Sequence, residues 1–326
     1  MKALLWAVLA ATGLWTGYWW VGASSIESAV QSWFAENASH ASTSGVEVHG
    51  IPNRFDLTVN DVVWSDTAQG ITVKSPFAQV YAMTWKPWHV IAALPSGQEI
   101  TLPDQKITVG SDSLRASLEL HPSTALGLRE TVVEAKALSL ASDLGWTVGV
   151  EDARFATLED PTPANTHRLG VAIANITPAA SVMQALASTD LPPKLAEIYL
   201  DAHATLSAPL DRFAGETHPQ LLALHLTEAR MTWGALKFTA SGALTARSDG
   251  IAEGEIALRV EGWRRLPPVL VALGLVKPDI APTVERMLEV IAAQSPDLDV
   301  INITLSCQDG RMSLGPLPLG PAPRLH

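Results

Sequence analysis

Cysteine is almost absent from this 326-residue chain. The one thiol, Cys307, excludes an internal disulfide framework and a thiolate zinc cluster. In the run VINITLSC, Ile301, Ile303, Leu305 and Cys307 fall on one face of a strand. That placement reads as a small core residue rather than an activated nucleophile, which needs a base beside it. Charge is scarce as well: 17% of residues are charged, 33 acidic against 22 basic, for a net charge of −11. Phosphate contacts require clustered Lys and Arg, so nucleic acid is not an expected partner. The acidic residues are scattered in ones and twos, as on a solvated surface.

Motifs for chemistry are also missing. The chain has no GxSxG elbow and no Walker-type glycine loop. Its nine histidines form no HxH, HExxH or HxxxH pair, so no local metal site is expected, and no cofactor either. A site built from distant His and carboxylate side chains stays open.

Long apolar runs are rare too, with one exception. Ala3 to Ala23 is uncharged and rich in Leu, Ala and Trp. At about 1.5 Å per residue it reaches across a hydrocarbon core of about 30 Å. Lys2 precedes it, and Tyr18, Trp19 and Trp20 crowd its far end, as an interfacial aromatic belt would. This predicts a single-pass anchor in residues 1–23, with the bulk of the chain exported. A cleaved signal peptide ending near Val21–Ala23 is the competing reading. No other segment reaches 18 apolar residues.

Beyond the apolar run, alternation dominates the chain. Residues 24–45 begin as a helical extension, with Ile26, Val30, Trp33 and Phe34 on one stripe to about Ala38. Residues 46–158 then form a first β-rich half. Phe55, Leu57 and Val59 alternate with Asp56, Thr58 and Asn60, and Leu114, Ala116, Leu118 and Leu120 with Arg115, Ser117 and Glu119. Period-two alternation predicts antiparallel strands with one covered face. The Pro-rich stretch 159–167 is read as a boundary. Residues 168–326 form a second β-rich half, with helices at about 178–188, 266–276 and 282–294 and a terminal hairpin turning at Asp309-Gly310. The fold class is therefore mainly β (α+β): an N-terminal transmembrane helix, then long curved antiparallel sheets with a few packing helices near the C-terminus.

YAMTWKPWHVI, residues 81–91, concentrates aromatics beside Lys86, Pro87 and His89. Tyr81, Met83 and Trp85 share one strand face and Ala78, Val80 and Ala82 the other, so the large residues are expected to pack inward. Trp85 and Trp88 are assigned to a buried corner, with His89 bonded or solvated. The competing reading makes Trp85, Trp88, His89 and Leu118 an apolar or aromatic binding surface.

GIPNRFDLTVNDVVW, WKPWHVIAALPSGQEITLP, LRASLEL and DGRMSLGPLPLGPAPRL resemble an uncharacterised bacterial envelope family, domain of unknown function 2125. The family is in turn distantly similar to AsmA-like proteins. The resemblance implies an N-terminal anchor, a periplasmic β-rich body with an apolar groove, and a role in lipid traffic or envelope assembly. It implies no catalytic residues. The expected protein is an inner-membrane-anchored periplasmic binding module whose partners are membrane lipids and envelope proteins. A periplasmic hydrolase with a non-local His/carboxylate site and a structural scaffold are the rivals.

Overall fold

The computed structural model describes residues 1–325. Helix α1 (Lys2–Glu36) is one continuous rod of 35 residues that joins the apolar run to the predicted extension. Nothing breaks it before Asn37, whose side-chain Nδ2 donates to Trp33 O at 2.8 Å. Among the described residues it is the one helix long and apolar enough to cross a membrane.

The chain divides into two compact units. The first comprises residues 1–122 and 132–145. It holds α1, β1 (Ala41–Ser42), β2 (Gly45–His49), β3 (Arg54–Asp66), β4 (Ile71–Met83), β5 (Lys86–Leu94), β6 (Gln98–Thr101), β7 (Lys106–Gly110), β8 (Ser113–Leu120) and β9 (Leu128–Ser142) from Val132 onward. Every ladder here is antiparallel: β2–β3–β4–β5–β8 in one direction, with β4–β6–β7–β9 branching from β4. The register Leu57↔Val80↔Ala92↔Ala116 puts the apolar side chains of four strands on one face. The opposite face carries Asp56, Tyr81, Ile91 and Ser117.

The second unit comprises residues 123–131 and 146–326. It is a meander in which each strand pairs with the next: β10 (Thr147–Asp160), β11 (Thr166–Thr177), β12 (Leu195–Leu206), β13 (Leu221–Trp233), β14 (Leu236–Ala246), β15 (Ala252–Glu261), β16 (Val300–Gln308), β17 (Arg311–Leu314) and β18 (Leu317–Pro321). Helices α2 (Ala180–Ala185), α3 (Ala214–Thr217), α4 (Leu266–Ala272) and α5 (Ala281–Ala292) lie in the connections. Residues 159–167, expected to mark a boundary, instead close the β10–β11 hairpin, with Glu159 opposite His167. Pro, Thr and Asn serve a tight turn as readily as a linker. The terminal turn follows the expectation: Asp309 and Gly310 have φ of 50° and 74°, the left-handed pair that a two-residue hairpin needs.

The core of the second unit gathers at one end of its sheet. Leu186, Trp233, Leu236, Val260, Trp263, Leu288, Ile291 and Ile301 form one buried cluster, into which Met231, Phe238 and Ile198 pack. Helices α2, α4 and α5 thus cover this end of the apolar face. Trp263 is fully buried, and its Nε1 donates to Leu298 O at 3.0 Å, so the indole leaves no polar atom stranded. A smaller cluster of Ala252, Cys307 and Ala322, with Leu244, Met312 and Leu325 packed on it, lies at the other end of β14, β15 and β16. Burial raises the Cys307 thiol pKa, as a structural core cysteine requires.

Candidate functional site

Two surfaces are candidates, one in each unit. The first begins where α1 meets the sheet. Trp15 Nε1 donates to Pro52 O at 2.9 Å, Tyr18 Oη to Thr84 O at 2.9 Å, and Trp19 Nε1 to Arg54 O at 2.6 Å. Trp19 stacks on Phe55 at 6.3 Å between ring centres, and Tyr18 meets the same ring edge-on at 6.4 Å. Two of the three residues read as an interfacial belt therefore bind the rim of the sheet, while Trp20 stays exposed. Thr84 is buried and locks the rim from the other side, its backbone N–H and its Oγ1 both donating to Asn53 O.

The expectation that Trp85 fills the core is not met. Thr84 and Trp85 form the two-residue turn between β4 and β5, and Trp85 is 56% exposed. Met83 is exposed too, and Tyr81 only half-buried. The alternation is present, but the covered face is the opposite one. Ala78, Val80 and Ala82 are the inward set, because they lie opposite Val59, Leu57 and Phe55. Trp88 is half-buried. Leu118 lies on the apolar face opposite Val90 and is part exposed, whereas His89 lies on the other face opposite Glu119.

Around His89 the register assembles a polar cluster that no local motif announces. His89 Nε2 lies 2.9 Å from Ser117 Oγ, and Nδ1 lies 4.0 Å from Glu119 Oε2. Lys86 Nζ holds Glu119 Oε1 at 3.0 Å. Arg54 Nη2 donates to Asp56 at 2.7 Å, and its guanidinium lies 5.9 Å from the centre of the Tyr81 ring. Arg54, Tyr81, Met83, Lys86, His89 and Ile91 line an open pocket of about 450 Å³. Chemically this is a hydroxyl–imidazole pair with a carboxylate near the second ring nitrogen, beside two cations. The sequence singles out His89 but neither Ser117 nor Glu119. The His89↔Glu119 register that joins them is a tertiary fact.

The second surface is the apolar face of the meander. One row runs straight across seven strands: Phe155, Val171, Leu200, Ala229, Ala240, Leu258 and Ile303. Adjacent strands lie about 4.8 Å apart, so the row is about 29 Å long. Its Ile303 end packs against the helices, but Val171, Leu200 and Leu258 are only part-buried and Phe155 is 40% exposed. A pocket of about 690 Å³ touches Ala240, Leu258, Ile291 and Ile303 of this region. The opposite face is laced with ion pairs. Arg168 binds both carboxylate oxygens of Asp201 at 2.8 Å, which lowers the Asp201 pKa, and Arg230 bridges Glu197 and Glu228. Among the described residues no group of His, Cys, Asp and Glu is arranged to hold a metal ion.

These features define a β-rich protein led by one helix long and apolar enough to span a membrane. The chain belongs to domain of unknown function 2125, an uncharacterized protein family conserved in bacteria, whose profile matches residues 19–323. Comparison with curated proteins and with solved structures gave no match.

Proposed function

We propose that the protein is a single-pass, inner-membrane-anchored binding module. Its β-rich body lies on the periplasmic side and handles lipid or assists envelope assembly without catalysing a reaction. The observation that carries this reading is the row from Phe155 to Ile303. Apolar side chains stand in register across seven strands, and Phe155, Val171, Leu200, Ala229 and Leu258 among them stay part-exposed. From Phe155 to Leu258 the row crosses five strand spacings, about 24 Å, which exceeds the ~15 Å that one leaflet's hydrocarbon occupies, so it accommodates an acyl chain lying across the strands. A monomer that keeps a large apolar patch has a use for it. Lys2 ahead of the span favours the cytoplasmic side for the N-terminus. An apolar groove on a long sheet is also what a distant likeness to AsmA-like proteins would entail, and membrane lipids and envelope proteins are the partners it suggests. The test is photo-crosslinking of the full-length protein in nanodiscs with a diazirine-bearing acyl lipid. Adducts are expected on Phe155, Val171 and Leu200. Adducts confined to α1 would reject the reading.

The Ser117–His89 contact supports a second reading, a hydrolase with a non-local site. A base 2.9 Å from a hydroxyl is the start of a nucleophile's activation. It ranks second because Glu119 is committed to Lys86 at 3.0 Å and is too far from Nδ1 to orient the ring. Turnover of a simple acyl ester that disappears in Ser117→Ala would promote it.

A further inference from the structure

We propose that the rim of the first unit, at Asn53 and Thr84, is seated in the headgroup layer of the bilayer that α1 crosses. The pocket beside the rim, between Arg54, Lys86 and His89, receives the phosphate of a phospholipid. This rests on the proposed function only in that α1 spans a membrane. It requires nothing of the second unit.

The depth follows from the helix. At about 1.5 Å per residue, Trp15 lies about 20 Å and Trp19 about 26 Å along the axis from Lys2. With the Lys2 ammonium reaching one boundary and its Cα about 5 Å inside it, a hydrocarbon core of about 30 Å puts Trp19 at about the other boundary and Trp15 about 5 Å short of it. Those residues are not free to meet lipid alone. Trp15, Tyr18 and Trp19 donate to Pro52, Thr84 and Arg54 carbonyls, so the rim is held at the same level. The rim's own composition suits that depth. Trp85, Ile51 and Met83 project from it exposed, which costs free energy in water and little at an interface.

Lys86 and Arg54 sit on this rim, and the pocket between them opens beside it. Their acidic partners lie beneath them: Asp56 and Glu119 side chains are 18% and 11% exposed, against 52% for Arg54 and 36% for Lys86. The surface offered to the bilayer is thus cationic although the residues are paired. Tyr81 and Ile91 supply the apolar wall that the glycerol and first methylenes of a lipid would need. Two partly exposed cations at headgroup depth match a phosphodiester, which accepts hydrogen bonds from both.

Two arms test this with the full chain in nanodiscs of phosphatidylcholine and phosphatidylglycerol. First, Trp85→Cys carrying a fluorophore should be quenched several-fold more by headgroup-nitroxide lipid than Gln69→Cys. Gln69 lies in the turn at the other end of β3, about 40 Å away along the strand. Equal quenching at the two positions overturns the seating. Second, a benzophenone amino acid replacing Ile91 should form a phospholipid adduct that falls several-fold in Arg54→Gln/Lys86→Gln. The adduct should return in Arg54→Lys/Lys86→Arg and resist excess inorganic phosphate. An unchanged adduct in the Gln variant, no rescue, or suppression by inorganic phosphate overturns the headgroup site. Acyl adducts missing from Phe155, Val171 and Leu200 would count against the groove of the second unit and leave both arms intact.

Discussion

Gly22→Ala turns the docking of α1 into a question of sign. In a free helix, alanine in place of glycine stabilises by about 1 kcal/mol, because glycine loses more backbone entropy on folding. At position 22 a Cβ would come 2.7 Å from Phe55 Cζ and 3.0 Å from Cε1. Phe55 is buried, with Trp19 stacked on one side and Tyr18 edge-on, so its ring has little room to yield. Overpacking of this kind costs about 1–3 kcal/mol, which equals or outweighs the helical gain. Removing the ring as well should restore the gain: Phe55→Ala alone costs about 3–5 kcal/mol, but on that background Gly22→Ala should stabilise by about 1 kcal/mol. The double-mutant cycle should therefore show a coupling of about 1–3 kcal/mol, read from denaturant midpoints of the full-length protein in mild detergent. Gly17 has open space around it, so Gly17→Ala should show no coupling to Phe55→Ala. Stabilisation by Gly22→Ala whether or not Phe55 is present would mean that the helix does not rest on β3.

Two tryptophans should behave oppositely: Trp263→Ala, at a fully buried site, should cost about 3–5 kcal/mol, while Trp85→Ala, on an exposed turn, should stay within about 0.5 kcal/mol in thermal unfolding. His167 is buried, and desolvation lowers its pKa while the charge of Glu159 opposes the shift. Near and below the unfolded value of about 6.5 the unfolded chain binds more protons than the native one, so stability is full above that pH and falls as the pH drops through the lowered native value. His167→Gln should remove this part of the pH dependence, measured as chemical stability between pH 7 and 5, and an unchanged profile would refute it. A reporter fused after the last strand should be active only on the exported side, and cytoplasmic activity would refute the orientation.

The legible parts of this fold are those in which one element decides its own form. The uninterrupted run from Ala3 through Phe34 contains no Gly-Pro break, and the helix runs to Glu36. Phe55, Leu57 and Val59 alternate, and they do share the covered face of β3. Asp309-Gly310 carries its turn type in two residues. The illegible parts depend on neighbours. Trp85 alternates with Tyr81 and Met83, yet which of two faces is covered depends on β3, and the alternation ends at the Thr84–Trp85 turn. Tyr18 and Trp19 have the composition of an interfacial belt, but their polar tips find carbonyls of the sheet, which hydropathy does not encode. Ser117 and Glu119 lie 28 and 30 positions from His89 and meet it only through strand register, so no spacing rule could join them.

Whether this protein carries lipid is tested most directly by native mass spectrometry after gentle solubilisation of the full-length chain. The account predicts a species heavier than the bare chain by the mass of a phospholipid, and loss of that species in Leu200→Asp, which places a charge in the middle of the part-exposed row. Wild-type protein that is natively folded and retains only its own mass, or a Leu200→Asp variant that holds lipid as well as wild type does, would contradict it.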